Sequence, residues 1–320
     1  MARDRSLLIG TLAAVVAATL FGMLGPLSRF GAEQGVEGVA FTAWRAILGT
    51  SFLAILITAR GALRPSVAAV RGLPRRGRIS LAAAAVMGVT LNVSMFTSFG
   101  LIPIALALML FYLYPAGVVM VDLALGHERM TPSRLVALLL SSAGVLLVLF
   151  GGPDGAGLSA DPLGIALGLV AAACQVVFIT VSRHGYTSVP ASAATVVILA
   201  TSAVGASIIA VIAGQLDGLL VPFTSPESWP VLLLAGVVAA GISSLLFLTA
   251  IRSIGGTRTG ILMLLEPVVG VILAALWLGE AFTPVQAAGG ILVMAGALVL
   301  QLGSDREHEP VVETASGPVL

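Results

Sequence analysis

The stretch MLLEPVVGVILAALWLGEAFTP, Met263–Pro284, sets a carboxylate and a helix breaker, Glu266 and Pro267, inside a run that is otherwise apolar as far as Trp277. A charge in such a run is costly in hydrocarbon, so it needs a reason to be there. Tyr112–Pro132, YLYPAGVVMVDLALGHERMTP, has the same layout, with Tyr114 in the place of Glu266 and Pro115 in the place of Pro267. The two stretches are parts of a longer correspondence. Shifted by 152 positions, residues 97–150 align with 249–302 without a gap, and thirteen of the 54 pairs are identical. Leu and Val matches mean little in so apolar a chain. Thr97/Thr249, Pro115/Pro267, Glu128/Glu280, Thr131-Pro132/Thr283-Pro284 and Gly144/Gly296 mean more. An offset of 154 sets Gly10 on Gly164, Arg29 on Arg183 and Gly31 on Gly185. The chain reads as one unit written twice.

Hydrophobic residues are 58% of the 320, charged residues 10%, and mean hydropathy is +1.09. Soluble domains carry about 25% charged residues, so this composition belongs in a bilayer. A bilayer core takes about 20 apolar residues per helix. Ten segments meet that length: 7–29, 38–59, 79–100, 102–125, 132–150, 162–182, 190–213, 230–251, 257–278 and 284–302. The first resembles a signal peptide, but with many apolar segments after it we read it as the first span. With the N-terminus inside, fourteen of the sixteen arginines fall on the cytoplasmic side, and there is no lysine. The positive-inside bias therefore places both termini in the cytoplasm. Five spans per unit is an odd number, so the second copy enters the membrane from the opposite side. The expected protein is an all-α polytopic membrane protein of the inner (plasma) membrane, with ten transmembrane helices in two inverted five-helix repeats. The first repeat occupies 1–151 and the second 152–303, followed by a disordered cytoplasmic tail, 304–320.

Inverted repeats are a mark of transporters, with the substrate site between the repeats near the midplane. The sequence here resembles a family, the EamA branch of the drug/metabolite transporter superfamily. LLEPVVGVILAALWLGEAFTPVQAAGGILVMAGALVL, residues 264–300, carries the family-like Leu-Glu-Pro, then Leu-Gly-Glu, Thr, Gln and Gly in order. Arg45 matches an arginine common in the second span of that family. The chain departs from the pattern at Leu20-Phe21-Gly22, where the family often has Trp-Gly, and at Tyr114-Pro115. The resemblance implies ten helices with both termini inside, and export or exchange of small metabolites, often amino acids. It does not imply a particular cargo.

Glu266 lies about ten residues into its span, near mid-bilayer at ~1.5 Å per residue. It is the first candidate for the transport path, able to bind a substrate ammonium, take up a proton, or both. Pro267 frees a carbonyl one turn earlier and, with Pro115, kinks its helix near the midplane. Tyr114 is expected across the cavity from Glu266, offering a ring face to cations. Tyr112, two residues away, is expected on another face. Arg45 either meets a substrate carboxylate, pairs with Glu33, Glu37 or Glu266, or snorkels to the outer surface beside Trp44; the last is favoured. Asn92 and Gln175 are path candidates that can equally serve as polar glue between helices. The Glu-x-x-Thr-Pro turns and Asp161-Pro162 read as helix caps.

There is no phosphate-binding Gly-x-x-x-x-Gly-Lys-Ser/Thr loop, so ATP hydrolysis is not expected. Three scattered histidines and one cysteine, Cys174, suggest no metal site and no disulfide framework. No cofactor and no nucleic-acid partner are expected. Arginines between 60 and 78 suit orientation and anionic lipid. The function expected is secondary transport of small polar or amphipathic metabolites, foremost amino acids, by alternating access, with Glu266 a candidate for proton coupling. The alternatives are export of organic cations or drugs and, from another class, a polytopic membrane enzyme acting on lipid. The enzyme would need clustered acid/base or metal residues, which the sequence lacks.

Overall fold

The computed structural model describes residues 2–124, 131–150, 160–186, 188–254, 259, 262–280 and 283–307. All regular structure among the described residues is helical. Six of the described helices are long and apolar enough to cross a membrane: Leu7–Glu33, Gly38–Ala59, Arg75–Leu101, Pro162–Ser182, Ser192–Ile212 and Pro226–Phe247. Shorter apolar helices run over Ile104–Val118, Leu135–Gly144, Leu265–Leu278 and Pro284–Gly296. The surface matches this composition. Ile55, Ile212, Leu276 and Ile291 are largely exposed, while Ala14, Ala17, Ala18, Ala46, Ala206 and Ala210 are buried. Small residues inside and large apolar ones outside suit helices packed in lipid, where close backbone approach drives association.

The chain opens with α1 (Ala2–Gly22) and α2 (Leu24–Glu33), then α3 (Gly38–Ala59). A nine-residue helix, α4 (Leu63–Arg71), precedes α5 (Arg75–Leu101). After it come α6 (Ile104–Phe111), α7 (Tyr114–Ala124) and α8 (Pro132–Phe150). The second half holds α9 (Pro162–His184), α10 (Ala191–Ile212) and the short α11 (Leu216–Thr224). Next, α12 (Trp229–Leu233) runs through a π-helical segment, Leu234–Ile242, into α13 (Ser243–Ile254). The last two are α14 (Leu265–Leu278) and α15 (Pro284–Glu307).

Proline sterics place the breaks. A proline ring clashes with the carbonyl four residues before it, so the helix opens just after that carbonyl. Pro26, Pro115 and Pro267 each have their break three residues upstream, at Met23, at Tyr112 (running into Leu113) and at Leu264. The expected fourth segment is therefore a two-part helix, not a single rod with a bend, and the described part of the ninth is broken at Leu264. Most of residues 255–261, where the ninth was expected to begin, lies outside the described residues, as do Glu128 and the tail beyond Glu307. The first helical run continues to Glu33, four residues past the expected boundary. Helical structure also continues through Ser304–Glu307, where the polar tail was expected to start. Neither α4, α11 nor the π segment was anticipated.

The two halves pack with their roles exchanged. Helix α5 lies against α9, and α1 lies against α13; α3 pairs with α10, and α8 with α15. The same exchange holds atom by atom. A Cβ added to Gly10 would lie 2.6 Å from Ile254 Cγ2, and one added to Gly164 would lie 2.6 Å from Ile102 Cγ2. Gly144 faces Gly289 and Val293, while Gly296 faces their counterparts Ala137 and Ser141. A contact from copy one to copy two that recurs from copy two to copy one is what a two-fold relation produces. The buried core joins Phe41 of α3, Phe96 and Phe99 of α5, Ile104 and Leu110 of α6, and Ala274 of α14.

Candidate functional site

Pro267 occupies the first turn of α14, where its missing N–H costs nothing. This places Glu266 in the same first turn, at the positive end of the helix dipole. A helix start thus supplies part of what a carboxylate in a membrane needs. Glu266 is half-buried, not sealed. The carbonyl that Pro267 leaves without an intrahelical donor, that of Met263, accepts from the Tyr112 hydroxyl at 3.4 Å. The Glu266 carboxylate lies near the same hydroxyl.

Tyr112 was expected to face away from Tyr114. Instead both rings sit together, 5.7 Å apart between centroids, with Phe111 at 5.7 Å from Tyr112 and 5.3 Å from Tyr114. The 100° step between successive helical residues fails here because the helix is interrupted at Tyr112 and Leu113. The interruption turns both tyrosines toward Glu266, and Tyr114 lies close enough to feel its charge. Tyr112, buried, packs on Leu264 and Val293, joining α6 to α14 and α15. The signal that would have found Tyr112 was in the sequence: it stands three residues before Pro115, where the break has to fall. A cavity of about 200 Å³ opens beside Tyr112, Pro267 and Met109.

Helix α1 closes on the same place. A Cβ on Gly22 would stand 2.8 Å from the Glu266 carbonyl, so only glycine lets α1 approach α14 so closely. Phe21 meets Phe247 of α13 edge-on, at 6.5 Å.

Arg45 does not snorkel. It is 4% exposed, donates to the Asn92 side-chain carbonyl, and lies 4.7 Å above the Phe96 ring. Asn92 is held in turn by a 2.7 Å bond from its amide to the Gly88 carbonyl. The Arg45 Nε has no partner. Among the described residues no ion pair joins Arg45 to Glu33, Glu37 or Glu266. The neighbouring Trp44 is locked between Phe223 and Trp229, at 5.6 and 5.4 Å, and bonds the Leu219 carbonyl at 3.2 Å. The structure thus brings Glu266, Tyr114 and Tyr112 together, sets Arg45 and Asn92 in a second polar pair, and leaves Gln175 half-buried on α9. Pro115 stands in the first turn of α7. Among the described residues no group of three or more His, Cys, Asp or Glu is placed to hold a metal ion.

The caps fall partly as expected. Asp161 accepts from the Leu163 N–H at 2.8 Å, and Thr283 and Gln286 exchange bonds of 3.0 and 3.2 Å. Glu280 does something else: its carboxylate crosses to α6 and accepts the Ile104 N–H at 2.9 Å.

Comparison with known proteins gives consistent results. The model of the EamA-like transporter family matches twice, over residues 8–150 and 162–302. A solved structure titled "Crystal structure of protein" superposes with a TM-score of 0.62 at 21% identity, covering 94% of this chain and 99% of that one. At that identity the likeness shows the fold alone. No curated protein matches.

Proposed function

Because the chain belongs to the EamA-like transporter family, we propose that it is a secondary transporter of the plasma membrane that moves small metabolites by alternating access. It is a multi-pass membrane protein of a transporter family, so a small-molecule cargo and a lipid surround follow. In this reading the ten apolar segments form two inverted five-helix repeats with both termini in the cytoplasm. The exchanged contacts between the halves support it, since inverted halves can swap shapes and open the path to one side and then to the other.

The observation that carries the reading is Glu266, a half-buried carboxylate in the first turn of a broken helix, faced by two tyrosines from the equivalent break. Broken helices near the midplane are where such folds bind cargo. Glu266 and the tyrosine rings suit an ammonium group. Arg45, with Nε unpartnered, has a donor to spare for a carboxylate. The cargo that uses both is a zwitterion, so amino acids are the first candidates, with export or exchange as the mode and Glu266 as the group that would couple to protons. The second reading, export of organic cations, is favoured by the same Glu266–tyrosine cluster taken without Arg45.

Counterflow in proteoliposomes preloaded with one amino acid or one organic cation tests this. Exchange of amino acids that Glu266→Gln abolishes is the expected result. Exchange that persists in Glu266→Gln would remove Glu266 from the path. Exchange of cations alone, surviving Arg45→Gln, would replace the amino-acid reading with the second one.

A further inference from the structure

Three elements converge on the hairpin tip between α5 and α6, residues 101–104. From α2, Arg29 donates to the Ile102 carbonyl at 2.9 Å. From the turn after α14, Glu280 accepts the Ile104 N–H with both carboxylate oxygens, at 3.1 and 2.9 Å. The same carboxylate lies 3.9 Å from the Arg29 guanidinium. At the start of α9, Gly164 lets Ile102 approach, and its carbonyl accepts from Ser98 at 2.8 Å. The tip is thus held from both copies at once.

Local chemistry explains why Glu280 can reach it. Helix α14 ends on Gly279, whose φ of 66° lies in the left-handed region that side chains with a Cβ disfavour. The chain leaves the helix axis there and carries Glu280 across to α6. Thr283 and Gln286 cap the next helix without it. At the start of α6 a carboxylate is favoured by the helix dipole, and its bonds are charge-assisted. The hold is nonetheless incomplete. Arg29 Nε has no partner, and a cavity of about 580 Å³ lined by Arg29, Glu33, Ile102, Trp277 and Glu280 opens on the pair. The side chains are 32% and 16% exposed, so water can compete for them.

Helix α14 carries Glu266 in its first turn and ends two residues before Glu280. A shift of α14 at one end is therefore felt at the other. We propose that Glu280, with Arg29, is a gate latch: it holds the α5–α6 hairpin shut at this end of the transport path and lets go when cargo bound at Glu266 displaces α14. The proposal rests on the alternating-access reading above and assigns the Leu278-Gly279-Glu280 motif a gating role.

The test uses the full chain in proteoliposomes, with Cys174→Ser as background and Ser28→Cys as reporter. Ser28 is 5% exposed and adjoins Arg29 on α2. A membrane-impermeant thiol reagent labels the reporter slowly while the latch holds. Arg29→Gln and Glu280→Gln should each speed labelling about tenfold. The double variant should label faster than either single one, because each side chain holds the tip by a bond of its own. A second reporter, Ala210→Cys, buried near the C-terminal end of α10 and on the same side of the membrane as Ser28 in this topology, should not change and so separates gate opening from general loosening. Unchanged labelling of Ser28→Cys in either variant, or an equal rise at Ala210→Cys, overturns the latch. Labelling needs no cargo. The expected labelling in a protein without counterflow would keep the gate and remove the cargo reading; counterflow with unresponsive labelling would do the opposite.

Discussion

Tyr114 and Glu266 hold equivalent positions in the two copies, each directly before a proline and just after a helix break. The backbone behaves alike in both because the same ring clashes with the same carbonyl. The chemistry at the two breaks differs. Copy one supplies Phe111, Tyr112 and Tyr114, with ring centroids within 5.7 Å of one another, and copy two supplies Leu264 and the carboxylate. The crossings beside them are also built in opposite ways. Where α1 meets α14, glycine is on α1, as Gly22, and Val269 is on α14; where α9 meets α7, Val176 is on α9 and glycine is on α7, as Gly117. Duplication set the backbone plan, and divergence at a few side chains made one half charged and the other aromatic.

The largest effect should come from erasing that difference. Tyr114→Glu puts a second carboxylate beside Glu266, and like charges in a poorly solvated site oppose each other. It should lower stability by about 3 kcal/mol and stop counterflow, as read by thermal unfolding in detergent and by exchange; a variant as stable as the native protein would mean that the two positions do not face each other. Next, Gly22→Ala should cost about 1–3 kcal/mol, because the Glu266 carbonyl in its way is backbone. Gly117→Ala should cost less, since the obstacle is a Val176 methyl. A reversed order in their unfolding midpoints would show that α1 is free to move away from α14. Tyr112→Phe keeps the ring contacts and loses the hydroxyl's bond to the Met263 carbonyl, for about 1 kcal/mol and a matching drop in exchange. Tyr114→Phe, compared in the same assay, should matter less. The smallest change belongs to Pro267→Ala. A proline in the first turn takes no bond from α14 itself, so we expect a change of about 0.5 kcal/mol in the unfolding measurement, against the roughly 3 kcal/mol that a proline in mid-helix involves.

Much of the fold was legible because its causes are local or compositional. Apolar length, the repeated spacing and the prolines depend on few residues at a time. The internal match at 152 positions agrees with the two family matches, over 8–150 and 162–302. The site was legible in part. Glu266 is evident from its cost. Arg45 was misread because distance along a helix suggests depth but names no partner, and Asn92, 47 residues away, is the partner. Tyr112 was set on the wrong face because regular helical spacing was assumed through a break that Pro115 enforces. Glu280 passed for a cap of its own turn, since nothing in the sequence says that α6 begins within its reach.

What the sequence determined by itself is membrane residence, the duplication, the helix breaks and the presence of one carboxylate that hydrocarbon alone would not tolerate. These follow from transfer cost and from sterics that act within about four residues. Only the tertiary structure decided which groups answer those costs: Tyr112 for the freed carbonyl, Asn92 and Phe96 for Arg45, Ile104 for Glu280. It also decided that Leu234–Ile242 winds as a π-helix, laid on α3 where Gly236 admits Leu48. Its counterpart in copy one, residues 82–90, is α-helical. Each of these choices is made by groups far apart in the chain, and packing selects among them by the bonds and volumes that the rest of the fold leaves open.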